Sequence, residues 1–200
     1  MDIERSLTLI GIDEAGRGAW AGPMTVGVAI APEELPVWWE EVVDSKLLNA
    51  RQRKGIYDLI VAEKIKYAVG WVTSVEIDQM GMQKAFRLAA RRALEKLGPI
   101  PNSETLVDGN TTAGIADRCL IGADRLVPAV SAASIVAKVE RDEYMSGFAQ
   151  MTWPRYDFAS HKGYGTGEHR NRLDKYGPCD IHRMSFRPLR EFRGVRHGLV

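Results

Sequence analysis

Apolar positions along this chain fall into runs of two different periods, and their order limits the fold before any single residue is considered. Residues 7–12 and 24–30 are short and largely apolar. In the second run Val26, Val28 and Ile30 alternate with small residues, as a strand packed closely on a neighbour requires. Residues 51–66 switch to helical spacing, with Ile56, Leu59, Ile60 and Glu63 along one stripe. A third strand is predicted over 67–72, followed by a short helical turn with Ser74 as its N-cap. The clearest helix covers 83–97 and stops at Gly98-Pro99, where glycine suits the terminal turn and proline cannot continue it. Short strands are predicted at 104–107 and 118–121. Pro128 then opens a long helix to about residue 150, because a first-turn residue has no intrahelical use for the missing N–H. The order β-β-α-β-α-β-β-α predicts an α/β domain with a mixed five-stranded sheet flanked by helices. Beyond residue 152 the periodicity dissolves into Gly163, Gly165, Gly167 and Pro178, with helical pieces at 167–175 and 187–193. The expected division is therefore a core over 1–152 and a small C-terminal helical extension over 153–200.

Composition adds a compartment and a partner. Two hundred residues at 45% hydrophobic suit one globular domain. No apolar run is long enough to cross a bilayer, and the N-terminus has no signal-peptide pattern. Cys119 and Cys179 have no metal-binding spacing and are expected as free thiols, Cys119 buried in its strand. A cytoplasmic monomer is expected. The net charge of +1 hides an asymmetry. Residues 1–150 carry 17 Lys and Arg against 21 Asp and Glu; residues 151–200 carry 10 against 5, with all four histidines. A basic tail on an acidic body suits a site that gathers carboxylates while the tail holds a polyanion, although a solvated basic surface produces the same count.

The chemistry concentrates at strand ends. Gly11-Ile12-Asp13-Glu14-Ala15-Gly16-Arg17-Gly18 places two acids where an apolar strand meets a glycine-rich loop. Glycine lets backbone approach a phosphate or ribose closely, and the acids can hold a hard cation. Asp108 and Asp124 likewise follow apolar strands, and ligands of α/β sheets sit beyond strand ends. A single such Asp is more often a cap or turn residue. Adjacent Asp13 and Glu14 share a site only if the strand kinks or ends between them. An all-carboxylate set favours Mg²⁺ or Mn²⁺, and two such ions ~4 Å apart can activate a water for phosphodiester displacement.

These residues carry a family resemblance. Gly11 to Gly18 with Ala21-Gly22-Pro23 resemble the opening motif of the ribonuclease HII family. The resemblance continues in Asp44-Ser45-Lys46, Val107-Asp108-Gly109-Asn110, Ser131-Ala132-Ala133-Ser134-Ile135-Val136-Ala137-Lys138 and Arg141-Asp142. His161-Lys162-Gly163-Tyr164-Gly165-Thr166, His182-Arg183 and Ser185-Phe186 complete it. The blocks stand in the family's order from about residue 7 to about 190, and the Gly-Arg-Gly form favours this group over ribonuclease HIII. The resemblance implies a ribonuclease H-like fold and catalytic, metal-holding Asp13, Glu14, Asp108 and Asp124. It implies RNA–DNA hybrids and ribonucleotide-containing DNA duplexes as substrates, cut on the 5′ side of the ribonucleotide to leave 3′-hydroxyl and 5′-phosphate ends.

It also implies substrate contacts from Gly16, Arg17 and Gly18 around the ribonucleotide, and from Tyr164 stacked on the deoxyribose that follows. Lys46, Lys162 and Arg183 are expected on phosphates, and Ser134 and Lys138, one helical turn apart, either face substrate or pack at the core edge. Asp142 is expected to pair with a nearby base rather than bind metal. Core packing is expected for Trp20. Two other classes share parts of the pattern: a resolvase- or transposase-like DNA nuclease has acids at strand ends, and a non-catalytic binding protein would keep the fold while losing an acid.

Overall fold

The computed structural model describes residues 7–39, 42 and 48–192. Among these, one sheet runs in the order β3-β2-β1-β4-β5, built from β1 Thr8–Ala15, β2 Met24–Ile30, β3 Tyr67–Val72, β4 Ser103–Asp108 and β5 Arg118–Leu120. β1, β2 and β3 pair antiparallel, whereas β4 runs parallel to both β1 and β5. The principal helices are α1 Ala50–Ala62, α2 Ser74–Met80, α3 Met82–Leu97, α4 Pro128–Tyr144 and α5 Gly167–Tyr176.

Side-chain alternation along the strands divides the core between two faces. Ile10, Ile12, Val26 and Val28 pack with Phe86, Ala89, Ala90 and Ala93 of α3. On the other face Ala29 and Val69 meet Ile135, Val136 and Val139 of α4, with Ile56 and Ile60 of α1. α4 lies directly on the sheet. A Cβ on Gly11 would stand 2.2 Å from the carbonyl carbon of Ala129, and one on Gly27 2.2 Å from the carbonyl oxygen of Ala133. Glycine at these two positions lets the helix settle, and so carries its polar residues to the ends of β1 and β4.

The structure departs from the sequence expectations at definite points. Thr73, not Ser74, caps α2: its hydroxyl accepts from Glu76 N at 3.2 Å, and Glu76 Oε2 accepts from Thr73 N at 2.8 Å. The long helix ends at Tyr144 and continues as a π-helical turn, Met145–Ala149, before Gln150–Thr152. Cys119 is exposed rather than buried, because β5 is a three-residue edge strand whose residues all face solvent. Past residue 152 the chain folds back: Tyr156, Phe158, Leu173 and Leu189 pack with Ala21, Met145 and Ala149. Among the described residues no helix is long and apolar enough to cross a membrane.

Candidate active site

Strand register brings the acids together. β1 pairs with β4 only as far as Ile12 opposite Val107, so Asp13 and Asp108 follow at the C-terminal ends of neighbouring parallel strands. Asp13 is 7% exposed and accepts from Glu14 N at 2.8 Å, with the Ser134 hydroxyl of α4 also bonded to it. Asp108 Oδ1 accepts from Ala123 N at 2.8 Å, which draws the short turn Ala123–Arg125 against the end of β4. Asp124 sits in that turn, fully buried, and its carbonyl accepts from Ser131 Oγ at 2.6 Å, tying the turn to α4.

Glu14 reaches the site differently from the sequence expectation. β1 does not end between the two acids; it pairs with β2 through Ala15. Alternation therefore places Asp13 on the α4 face with Gly11, and Glu14 on the α3 face with Ile12. Glu14 lines an open cleft and pairs with Arg17 at 3.2 Å.

The electrostatics show what this arrangement lacks. Burial, then the neighbouring Glu14 and Asp108 charges, push Asp13 up to about 8 against the bonds from Ser134 and Glu14 N. Burial and Asp108 also raise Glu14, while Arg17 opposes them. Among the described residues no three or more His, Cys, Asp or Glu side chains converge closely enough to form a ready cage for an ion. The donor set nevertheless fits a hard divalent cation: every donor is a carboxylate oxygen, and buried like charge is what a cation relieves.

Beside the acids lies a cleft of about 380 Å³ bounded by the Gly16-Arg17-Gly18 loop, Ser134 and Lys138 of α4, and Tyr164. A smaller one of about 60 Å³, lined by Asp108, Gly109 and Asn110, flanks Arg17 on its other side. The half-buried Tyr164 ring has Lys138 Nζ 5.2 Å and Arg141 Cζ 5.1 Å from its centroid. Lys138 also pairs with Asp142 at 2.7 Å, the structural partnership expected for that acid. Lys162 turns its ammonium back to the Ala159 carbonyl. Trp20 packs against His169, ring centroids 5.5 Å apart. Lys46, with Asp44 and Ser45, lies outside the described residues.

Arg183 corrects the sequence reading. It is fully buried and donates to the carbonyls of Gly22 and Arg17, both at 3.0 Å, so it supports the loop from beneath instead of reaching a phosphate. Its place in a basic tail suggested a surface that packing removed. One residue was missed: Arg53 of α1 lines the larger cleft. Its only signal was a position shortly after Asp44-Ser45-Lys46, and periodicity cannot tell which neighbour a helix's polar face looks upon.

The family model described as Ribonuclease HII matches residues 10–188. The chain belongs to the ribonuclease HII family. Ribonuclease HII of Polaromonas sp. (strain JS666 / ATCC BAA-500) is 44% identical over 185 residues, spanning 92% of this chain and 91% of that protein. The crystal structure of the ribonuclease H2 from Pyrococcus horikoshii OT3 matches with a TM-score of 0.69 and 25% identity, over 93% of this chain and 97% of that one. Bst ribonuclease HIII in complex with Mn²⁺ shares the fold, with a TM-score of 0.69 and 21% identity over 94% and 70% of the two chains. The chain is therefore a hydrolytic endoribonuclease that cleaves RNA in RNA–DNA hybrids, in a divalent-metal-dependent family. Ribonuclease HII membership displaces the DNA-nuclease and binding-protein readings.

Proposed function

We propose that the enzyme also cuts duplex DNA on the 5′ side of an embedded ribonucleotide, leaving 3′-hydroxyl and 5′-phosphate ends, and so serves ribonucleotide excision from DNA. The observation that carries this reading is the cleft in which Tyr164 and the Gly16-Arg17-Gly18 loop face each other beside Glu14. DNA and RNA differ at the 2′-hydroxyl, so an enzyme acting at one ribonucleotide must contact that sugar and its deoxy neighbour.

Asp13, Glu14, Asp108 and Asp124 would hold Mg²⁺ or Mn²⁺, which when bound supplies charge neutralisation and Lewis-acid polarisation at the scissile phosphate. Ser134 orients Asp13 through its hydroxyl. The backbone of residues 16–18 approaches the ribose without a side-chain barrier at either glycine. Tyr164 packs its ring on the following deoxyribose, with Lys138 and Arg141 against the ring. Arg53, Lys138, Lys162 and Lys46 serve the phosphates, which position the duplex without reading its sequence. The segment over 153–200 acts as the extension that delivers Tyr164 and Lys162.

Three duplexes test the reading in the presence of Mg²⁺: all DNA, DNA with one ribonucleotide, and DNA paired to an RNA stretch. Cleavage of the second and third but not the first is expected, with the cut 5′ to the ribonucleotide. No cleavage at the single ribonucleotide, with the RNA stretch cut normally, would overturn it.

A further inference from the structure

Arg141 and Arg183 are both fully buried, and among the described residues neither has a carboxylate at ion-pair distance. Isolating a guanidinium from water without a counter-charge is costly, so its partners show what that cost supports. Burial pulls both down, Arg183 to about 9 with the Arg141 charge adding to the effect.

Two donor nitrogens of each arginine bond to one loop, while Arg141 Nη1 and Arg183 Nη2 have no hydrogen-bond partner among the described residues. Arg141 Nε donates to the Pro23 carbonyl at 2.8 Å and its Nη2 to the Ala21 carbonyl at 3.2 Å. Arg183 Nε donates to the Gly22 carbonyl and its Nη1 to the Arg17 carbonyl. Four carbonyls between residues 17 and 23 are thus held from two sides. Gly16 (φ +86°) leaves room for this: a Cβ there would stand 2.0 Å from Arg141 Nε.

The same loop is bonded to the segment carrying Tyr164. Trp20 N and Ala21 N both donate to the Gly163 carbonyl, at 2.8 and 3.2 Å, and Arg183 N donates to the Trp20 carbonyl at 2.8 Å. Arg141 closes the unit, its guanidinium lying against the Tyr164 ring. One side chain touches both the backbone that meets the ribose and the ring that meets the next sugar.

We propose that Arg141, backed by Arg183, is a positioning residue for recognition of the ribose-to-deoxyribose junction: it sets the distance between the Gly16-Arg17-Gly18 loop and Tyr164 without touching substrate. The inference rests on the reading of Tyr164 given above. A planar guanidinium can hold two carbonyls and a ring face together in fixed directions; a lysine keeps the charge but not that geometry. Cleavage at one ribonucleotide depends on a single correct spacing of the two loops, whereas a long RNA stretch offers many positions for attack.

The test is a double-mutant cycle of Arg141→Lys with Tyr164→Ala. Each variant is assayed for kcat and KM on the single-ribonucleotide and RNA-stretch duplexes, with thermal melting to confirm folding. Arg141→Lys is expected to lower the ratio of single-ribonucleotide to stretch cleavage by about tenfold, and by less than about twofold when Tyr164 is already alanine, since coupled residues are non-additive. Equal losses on both substrates, or the same ratio change in both backgrounds, would show a merely structural arginine and overturn the proposal. Should Arg141→Lys not fold, Arg183→Lys carries the same cycle with the same expectations. A ratio unchanged by Tyr164→Ala alone defeats the junction reading itself, while a ratio changed by Tyr164→Ala but not by Arg141→Lys defeats only the brace.

Discussion

The candidate acids, two of them buried and two partly so, and three of the tail's four histidines are titratable groups that meet burial in opposite ways. His161, His169 and His182 are at most 7% exposed, and burial lowers all three, with neighbouring histidine charges adding to the effect at His169, lowered to about 4, and at His182, lowered to about 3. Held neutral, they satisfy one another. His182 Nδ1 accepts from Cys179 N at 2.8 Å, which leaves its Nε2–H to donate to His169 Nε2 at 3.0 Å. His169 Nδ1–H then donates to the Tyr164 carbonyl at 3.0 Å. His161 lies flat on His169, centroids 4.3 Å apart; it accepts from Gly163 N and donates to the Tyr156 carbonyl.

Nothing in that network calls for a ligand. The Glu14 and Asp108 charges raise Asp13, Asp108 also raises Glu14, and among the described residues the cation that opposes this is Arg17 on Glu14. Buried polar groups that close their own hydrogen bonds are architecture; those left with excess like charge mark a place for something that binds. The histidines hold the loop that carries Tyr164.

The comparison breaks most visibly in the acids. Asp13→Asn or Asp108→Asn keeps the shape and removes the charge, and is expected to reduce hybrid cleavage at saturating Mg²⁺ by at least about 10³-fold, several kcal/mol of transition-state stabilisation. The fold, followed by circular dichroism, and duplex binding should be retained. Asp124→Asn is expected to lose less. Wild-type turnover in either of the first two would remove the metal assignment.

For the histidines the readout is stability against pH. Their folded values lie below the ordinary 6.5, so the unfolded chain binds more protons as pH falls. Stability from this cluster is full above about 6.5 and is lost progressively towards about 3; His169 alone accounts for on the order of 3 kcal/mol. Melting in EDTA between pH 7 and pH 4 should show the loss, and Gln at His169 should blunt it. A melting temperature flat over that range would contradict the neutral network.

Asp13 has the opposite sign. Its folded value is raised, so its ionised form is a penalty that is complete above about 8 and absent below about 4. Without divalent ion, Asp13→Asn should therefore melt higher than wild type in alkaline buffer. Mg²⁺ at about 100 times its Kd should then add roughly 2.7 kcal/mol to wild type alone and narrow or reverse the order. An equal Mg²⁺ response in both proteins would place the ion elsewhere.

The smallest effect concerns Arg53. Arg53→Ala is expected to weaken hybrid binding a few-fold with kcat little changed, and to reduce the slope of log affinity against log salt by about 1. An unaltered salt slope would take Arg53 off the phosphates.

Much of this was open to reading in the chain. β2 and β3 fall where alternation and apolar run length put them, at Met24–Ile30 and Tyr67–Val72, because strand period is a property of neighbours in sequence. The four acids and the glycine loop were visible for the same reason: each motif is short and its spacing is local. β1 was misjudged at its far end, since Glu14 and Ala15 look like a departing loop until β2 is seen pairing with them.

By itself, then, the sequence determined the α/β order of elements and the family, and marked the candidate carboxylates, all of which depend on residue type and local spacing. The tertiary structure alone decided the register that sets Asp13 beside Asp108, the inward turn of Arg141 and Arg183, the exposure of Cys119, and the neutral histidines under Tyr164. Each of those depends on burial, and burial is conferred by partners far away along the chain: Arg183 finds its acceptors at Arg17 and Gly22, and Arg141 finds its own at Ala21 and Pro23. A charged side chain carries no mark in the sequence of whether water or a backbone carbonyl will receive its protons.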